Sequence, residues 1–195
     1  MFHENGFGTI EKCEISGNAL AGLKIRSGDH SISVKKCEIH DGGGSGILIL
    51  DNGLGETTIE QSQIFCNANA GIEIRRGGDP VIRNCDIYEG KGWGILCCED
   101  GKGRVEGCKI YDNAYVGVEI KKGELNLKDC WVTHNSYYGI SVSDIAIGTL
   151  ENCHYAANVY GMCPFRARRY IRLVGNKPGL ADRLFHYVYL LRPGR

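Results

Sequence analysis

The chain has 195 residues, 43% of them hydrophobic, and a formal net charge of zero; no apolar run reaches the ~18 residues of a membrane span, so a substantial water-excluded core is expected and a membrane anchor is not. Charge is unevenly divided: residues 1–161 carry 15 Lys and Arg against 22 Asp and Glu, whereas residues 162–195 carry eight basic residues and the single acid Asp182. The opening Met1-Phe2-His3-Glu4-Asn5-Gly6 lacks the charged and apolar regions of a secretory signal, and the expectation is a soluble chain of the cytoplasm or nucleus.

From Ile10 onward the sequence repeats every 22 to 25 residues: IEKCEISGNALAGLKI, VKKCEIHDGGGSGILI, IEQSQIFCNANAGIEI, IRNCDIYEGKGWGILC, VEGCKIYDNAYVGVEI, LKDCWVTHNSYYGISV and LENCHYAANVYGMCP. One column is wholly apolar: Ile10, Val34, Ile59, Ile82, Val105, Leu127 and Leu150. Five residues on lies a second: Ile15, Ile39, Ile64, Ile87, Ile110, Val132 and Tyr155. A glycine column (Gly22, Gly46, Gly71, Gly94, Gly117, Gly139, Gly161) precedes a short alternating strand, at a place suited to positive φ or close backbone approach. Each unit therefore holds short strands and turns, with no stretch long enough for a helix between them. Such a unit cannot bury its own apolar face, so the units must stack as coils at the strand spacing of about 4.8 Å. Leucine-rich repeats share the period but are excluded by the absence of LxxLxLxxN and by the excess of β-branched residues.

These columns predict an all-β, right-handed parallel solenoid of about seven coils over residues 1–163, followed by a basic segment, 164–195, that caps the coils or extends from them. The pattern resembles the right-handed parallel β-helix repeats of pectate lyases and of the carbohydrate-binding and sugar hydrolase module. Segments such as NALAGLKI, CEIHDGGGSGILI and CDIYEGKGWGI are most similar to the β-helix of F-box proteins and of SHC-binding, spindle-associated proteins. No F-box or zinc finger accompanies them, so a ubiquitin-ligase role needs parts that this sequence does not contain.

Several columns have structural explanations. Cys13, Cys37, Cys85, Cys108, Cys130 and Cys153 recur in register, which holds neighbouring sulfurs near the coil spacing and far beyond an S–S bond of about 2.0 Å; reduced, buried thiols are expected, with no metal site and no cofactor. Cys97-Cys98 places one sulfur in and one out. Asn18, Asn67, Asn113, Asn135 and Asn158 form a turn ladder of stacked amides. Glu11, Lys35, Glu60, Arg83, Glu106, Lys128 and Glu151 alternate in sign from coil to coil and act as a register device.

For chemistry, the best carboxylate pair is Glu14 with Glu38, one coil apart at about the 5 Å separation of a retaining glycosidase. Their column continues through Gln63, Asp86, Lys109, Trp131 and His154, which favours a charged surface over catalysis. An aromatic stripe is the stronger lead: Phe65, Tyr88 and Tyr111 on one face, with Trp93, Tyr115, Tyr137, Tyr138 and Tyr160 across the adjoining turn. The resulting expectation is a non-enzymatic protein-recognition module, a scaffold of the ubiquitin-ligase-adaptor kind. Phe65, Tyr88, Trp93, Tyr111, Tyr115 and Tyr138 are its contacts with a protein partner. A polysaccharide-active hydrolase or lyase, or a glycan-binding protein, is the alternative. The glycine-rich stretches open no helix and bind no phosphate. In the tail, Leu180, Leu184, Val188 and Leu191 have the spacing of an amphipathic cap, while Arg166, Arg168, Arg169 and Arg172 form a basic arm, the one route to nucleic acid. Phe2 to Gly8 reads as the closing turn of a preceding coil.

Overall fold

A computed structural model describes residues 8–27, 31–52, 55–143, 145–161 and 171–178. The opening turn at 2–7 and the capping heptad at 180–191 fall outside these residues. The first coil comprises β1 (Gly8–Glu11), β2 (Glu14–Ser16) and β3 (Leu23–Ser27). The second has β4 (Ile32–Lys35), β5 (Glu38–His40) and β6 (Ile47–Asn52), and the third β7 (Thr57–Glu60), β8 (Gln63–Phe65) and β9 (Ile72–Arg75). Three more follow: β10 (Val81–Arg83), β11 (Asp86–Tyr88), β12 (Ile95–Cys97); β13 (Gly101–Glu106), β14 (Lys109–Tyr111), β15 (Val118–Ile120); β16 (Gly123–Lys128), β17 (Trp131–Thr133), β18 (Ile140–Val142). Two-strand rungs complete the stack: β19 (Ile147–Glu151) with β20 (His154–Ala156), and β21 (Ile171–Val174) with β22 (Lys177–Pro178).

Every third strand joins the same sheet, giving two sheets of eight strands and one of six, parallel throughout. The expected apolar columns are core columns: Ile39, Ile59, Ile64, Ile82, Ile87, Val105 and Ile110 are fully buried, each stabilising the stack by about 1.5–3 kcal/mol. Among the described residues no helix is long and apolar enough to cross a membrane.

The stack passes the expected boundary at residue 163. Leu173 pairs with Leu150 in the first sheet, and Asn176 takes the position of the cysteine column, accepting from Cys153 N at 2.7 Å and donating to Leu150 O at 2.8 Å. That rung is hidden in the sequence because Asn176 and Pro178 stand where the repeat has a cysteine and an apolar residue.

The corners divide two jobs that sequence alone assigns to one glycine column. Positive φ falls mainly on residues that follow strands of the first sheet, Lys12, Lys36, Gln61, Asn84, Asp129 and Asn152 at 51–53°, and of the second, Asp41, Cys66, Glu89, Asp112, His134 and Ala157 at 51–56°, while in the glycine column Gly161 has it. Gly46 serves close approach instead: a Cβ there would lie 2.7 Å from Ile64 Cγ2, 2.8 Å from Asn67 Nδ2 and 2.8 Å from Gly71 O.

The asparagine ladder fills the space that this approach leaves. Asn135 Nδ2 donates to Ile110 O at 3.2 Å and Thr133 O at 3.1 Å, while its Oδ1 accepts from Asn113 N at 3.2 Å. Asn113 and Asn135 are both fully buried. The thiol column works similarly: Cys37, Cys85, Cys108 and Cys130 each bond the carbonyl two residues back, as Cys130 does with Lys128 O at 3.2 Å, and a carbonyl one coil below, here Val105 O at 3.3 Å. All described cysteines are free. Because one amide satisfies several buried backbone groups, Asn135→Ala is expected to cost about 1–3 kcal/mol. Urea unfolding checks this, and an unchanged midpoint would contradict it.

Candidate functional site

Inward side chains fill the core, so chemistry is confined to the outer faces and the turns that overhang them. On the third sheet Lys24, Leu48, Glu73, Leu96, Glu119 and Ser141 form one outward column. The turns before each strand bring Leu20, Ala21, Gly44, Ser45 and Asn69 over this face, enclosing with Lys24, Leu48, Glu73 and Arg75 an open groove of about 390 Å³. Leu20 stands at the rim, 80% exposed.

Glu73 faces outward yet is only 5% exposed. Its Oε2 accepts from Ser45 Oγ at 2.6 Å and from Asn69 Nδ2 at 3.3 Å, and its Oε1 pairs with Arg75 Nη2 at 2.8 Å. Asn69 also donates to Ser45 Oγ at 3.1 Å, so two neighbouring coils converge on one carboxylate. Arg75 is held on its other side by Glu99, 3.3 Å from Nη1. A charge this deep is retained only when its oxygens are filled by such donors.

Farther along the face Trp93 Nε1 donates to Glu119, and the Lys121 ammonium lies 4.8 Å from the centre of the Trp93 ring. Cys98 turns outward here, half-buried, as its pairing with the inward Cys97 predicts. Burial raises its thiol above the ordinary range, as do Glu73 and Glu99, while Arg75 and Lys121 oppose this; the inward Cys97 is pushed up to about 12, chiefly by burial.

The residues that sequence singles out lie mainly elsewhere. Glu14 and Glu38 do occupy neighbouring rungs of the second sheet, but both are exposed, and Glu14 pairs with His40 Nε2 at 3.4 Å. Neither has the buried surroundings that set a general acid apart.

Phe65, Tyr88 and Tyr111 stack as predicted, and His40 extends their column: centroids are 4.6, 5.1 and 5.0 Å apart with planes within 10°. Their faces thereby cover one another, and Tyr88 Oη donates to Gln63 Oε1 at 3.0 Å. Across the turn Trp93 meets Tyr115 edge-on at 5.2 Å, and Tyr115 stacks on Tyr137 at 4.9 Å. Tyr138 meets Tyr137 edge-on at 5.0 Å and Tyr160 at 5.6 Å. Of the six aromatic residues singled out, Trp93 reaches the third-sheet face through a polar partner, Glu119. Sequence reasoning missed Glu73, Ser45, Asn69 and Arg75; the signal was the outward member of each third strand, a column regular in position but not in residue type.

Coils of this geometry define a class, and the family described as right handed beta helix region matches residues 1–78 and 28–177. The chain belongs to that family. No curated protein matches it. Among solved structures it is similar to the A-module of a mannuronan C-5 epimerase from Azotobacter vinelandii (TM-score 0.67, 10% identity), covering 88% of this chain and 55% of that one. It is also similar to a pectate lyase (TM-score 0.57, 13% identity; 80% and 54% covered) and to a periplasmic alginate epimerase (TM-score 0.59, 14% identity; 86% and 55% covered). The chain thus spans about half the length of these structures, and at such identities the likeness establishes the fold.

These comparisons overturn the expectation of a non-enzymatic protein-recognition module of the ubiquitin-ligase-adaptor kind, because the similar solved β-helices are polysaccharide enzymes by name.

One titration follows from the ring column. The hydrogen bond from His40 Nδ1 to the Asp41 carboxylate at 2.7 Å, aided by both acids' charge and Glu14, raises the imidazole above its ordinary value of 6.5. The stability it contributes is therefore full below that value and is lost as pH rises through the folded-state value. An NMR titration is expected to place the His40 midpoint above 6.5 and Asp41→Asn to lower it; a midpoint unmoved by Asp41→Asn would refute the assignment.

Proposed function

We propose that the third-sheet groove takes a polysaccharide and that this chain, or a longer protein that contains it, acts on that polymer there. The observation that carries the reading is Glu73: a nearly buried carboxylate on the floor of an open groove, oriented by Ser45, Asn69 and Arg75. A carboxylate fixed in this way and shielded from bulk water is suited to accept a proton from a bound sugar or its hydroxyl. Lys24 supplies positive charge along the same wall, and Arg75, engaged by Glu73 and Glu99, offsets their charge; both favour an acidic polymer over a wall of bare carboxylates. A linear glycan fits a groove whose repeating unit is the coil, because successive sugars meet successive rungs. The named substrates of the similar structures, mannuronan, pectate and alginate, agree with that preference.

Glycan binding without turnover is the second reading. It is favoured by the saturation of Glu73, whose oxygens are already engaged by Ser45, Asn69 and Arg75. The similarity of the repeat segments to those of F-box and SHC-binding proteins is a proposal about subfamily alone and adds no adaptor role.

Incubation of the purified chain with pectate, alginate and polymannuronate, followed by product analysis, separates the readings. Modification of a polymer, lost by at least about a hundredfold in Glu73→Gln while binding persists, is the expected result. Binding with no product gives the second reading. Neither binding nor turnover on any acidic polymer would refute both.

A further inference from the structure

The second sheet carries a separate notch, near the C-terminal end of the stack, lined by Asp129, Trp131, Asn152 and His154. We infer that it is a binding subsite for a neutral pyranose, independent of the Glu73 groove. The notch arises from the register. Trp131 and His154 are adjacent rungs of one outward column, and Asp129 and Asn152 are the positive-φ corner residues two positions before them, so their side chains flank the rings. Its volume is about 470 Å³.

Trp131 differs from the rings of the stacked column. Phe65, Tyr88 and Tyr111 bury their faces against one another, whereas Trp131 is 54% exposed and meets the His154 ring at 4.3 Å, tilted by 43°. That contact braces the indole while much of it stays open to solvent. A pyranose presents a face of C–H bonds that packs on such a platform, while its equatorial hydroxyls reach the rim. The rim is suitable for hydroxyls: the Asp129 carboxylate accepts, and the Asn152 amide both donates and accepts.

Charge selects among sugars. Among the described residues that line the notch the carboxylate is Asp129; Lys109 and Lys177 stand on the rungs on either side of the Trp131–His154 pair, and Lys128, beside the notch in sequence, is occupied by Glu151 at 3.0 Å. Asp129 at the rim disfavours a uronate there, whereas Lys24 favours one in the third-sheet groove. One face is suited to the acidic parts of a polymer and the other to a neutral sugar.

The test is a calorimetric titration of the whole chain with neutral pentasaccharides of the cello, xylo, manno and galacto series, beside an oligogalacturonate of equal length. At least one neutral series is expected to bind, and Trp131→Ala to weaken that binding by about tenfold or more. Trp131 is exposed, so this change spares the core; an unaltered unfolding midpoint checks that it does. Asp129→Ala is expected to weaken the same ligand, and Glu73→Gln to leave it unchanged, which keeps this result separate from the fate of the groove. Binding of no neutral series would overturn the inference. So would binding that survives Trp131→Ala, or binding that disappears in Glu73→Gln.

Discussion

The buried amide ladder is the interaction on which the rest of the structure depends. A parallel stack places a turn above a turn, and a turn leaves backbone N–H and C=O groups that no strand can satisfy. Asn67 meets this demand with one side chain: its Oδ1 accepts from Gly42 N at 3.1 Å, and its Nδ2 donates to Ile39 O at 3.0 Å and Phe65 O at 2.9 Å. The bond to the coil below sets the spacing, and the bond within its own coil sets the turn's shape. Two residues after Asn67 comes Asn69, which reaches Ser45 and Glu73. The same turns that close the core thus project the groove's polar wall, so fold and site share a cause.

Other columns add to this register without replacing it. The alternating charges pair across coils, with Lys35 and Glu60 at 2.9 Å, Glu60 and Arg83 at 3.5 Å, Arg83 and Glu106 at 2.9 Å. Such half-exposed pairs contribute only about 0–1 kcal/mol each. Their greater effect is on alignment, because a slip of one coil would set like charges together. Thiols contribute differently: they fill space beside the core and bond carbonyls that the corner leaves over. The bond to Cys85, together with burial, holds the Cys108 thiol well above its ordinary range.

Columns of the repeat were legible because identity recurs in them. From the second coil to residue 158 the apolar, cysteine and asparagine positions are buried as their pattern implies, whereas Cys13 and Asn18 of the first coil are exposed. What recurs imperfectly was harder to read. Asn176 replaces a cysteine and Pro178 an apolar residue, so the rung at 171–178 was hidden although its hydrogen bonds are of the repeat's kind. The functional residues are hidden for a deeper reason. Glu73, Ser45 and Asn69 belong to neighbouring coils and differ from their column mates, and a reading that rewards regularity passes over such departures. The aromatic stripe was legible for the same reason as the core columns, and its regularity lets Phe65, Tyr88 and Tyr111 stack on one another. In a solenoid, repetition belongs to stability, and chemistry is sought where a column is broken beside a groove.

The two outer faces thus divide labour by charge and exposure. The third sheet has a shielded carboxylate with cations along its wall, and the second an open indole with a carboxylate at its rim. Both depend on side chains that differ from their column mates on a scaffold that keeps them one coil apart. The most direct measurement of the central claim is a crystal structure of the chain soaked with an acidic oligosaccharide. The account predicts sugar rings along the third sheet, over Glu73 and Arg75 and parallel to the solenoid axis. Density on the second sheet alone, with the groove beside Glu73 filled only by water at saturating ligand, would contradict it.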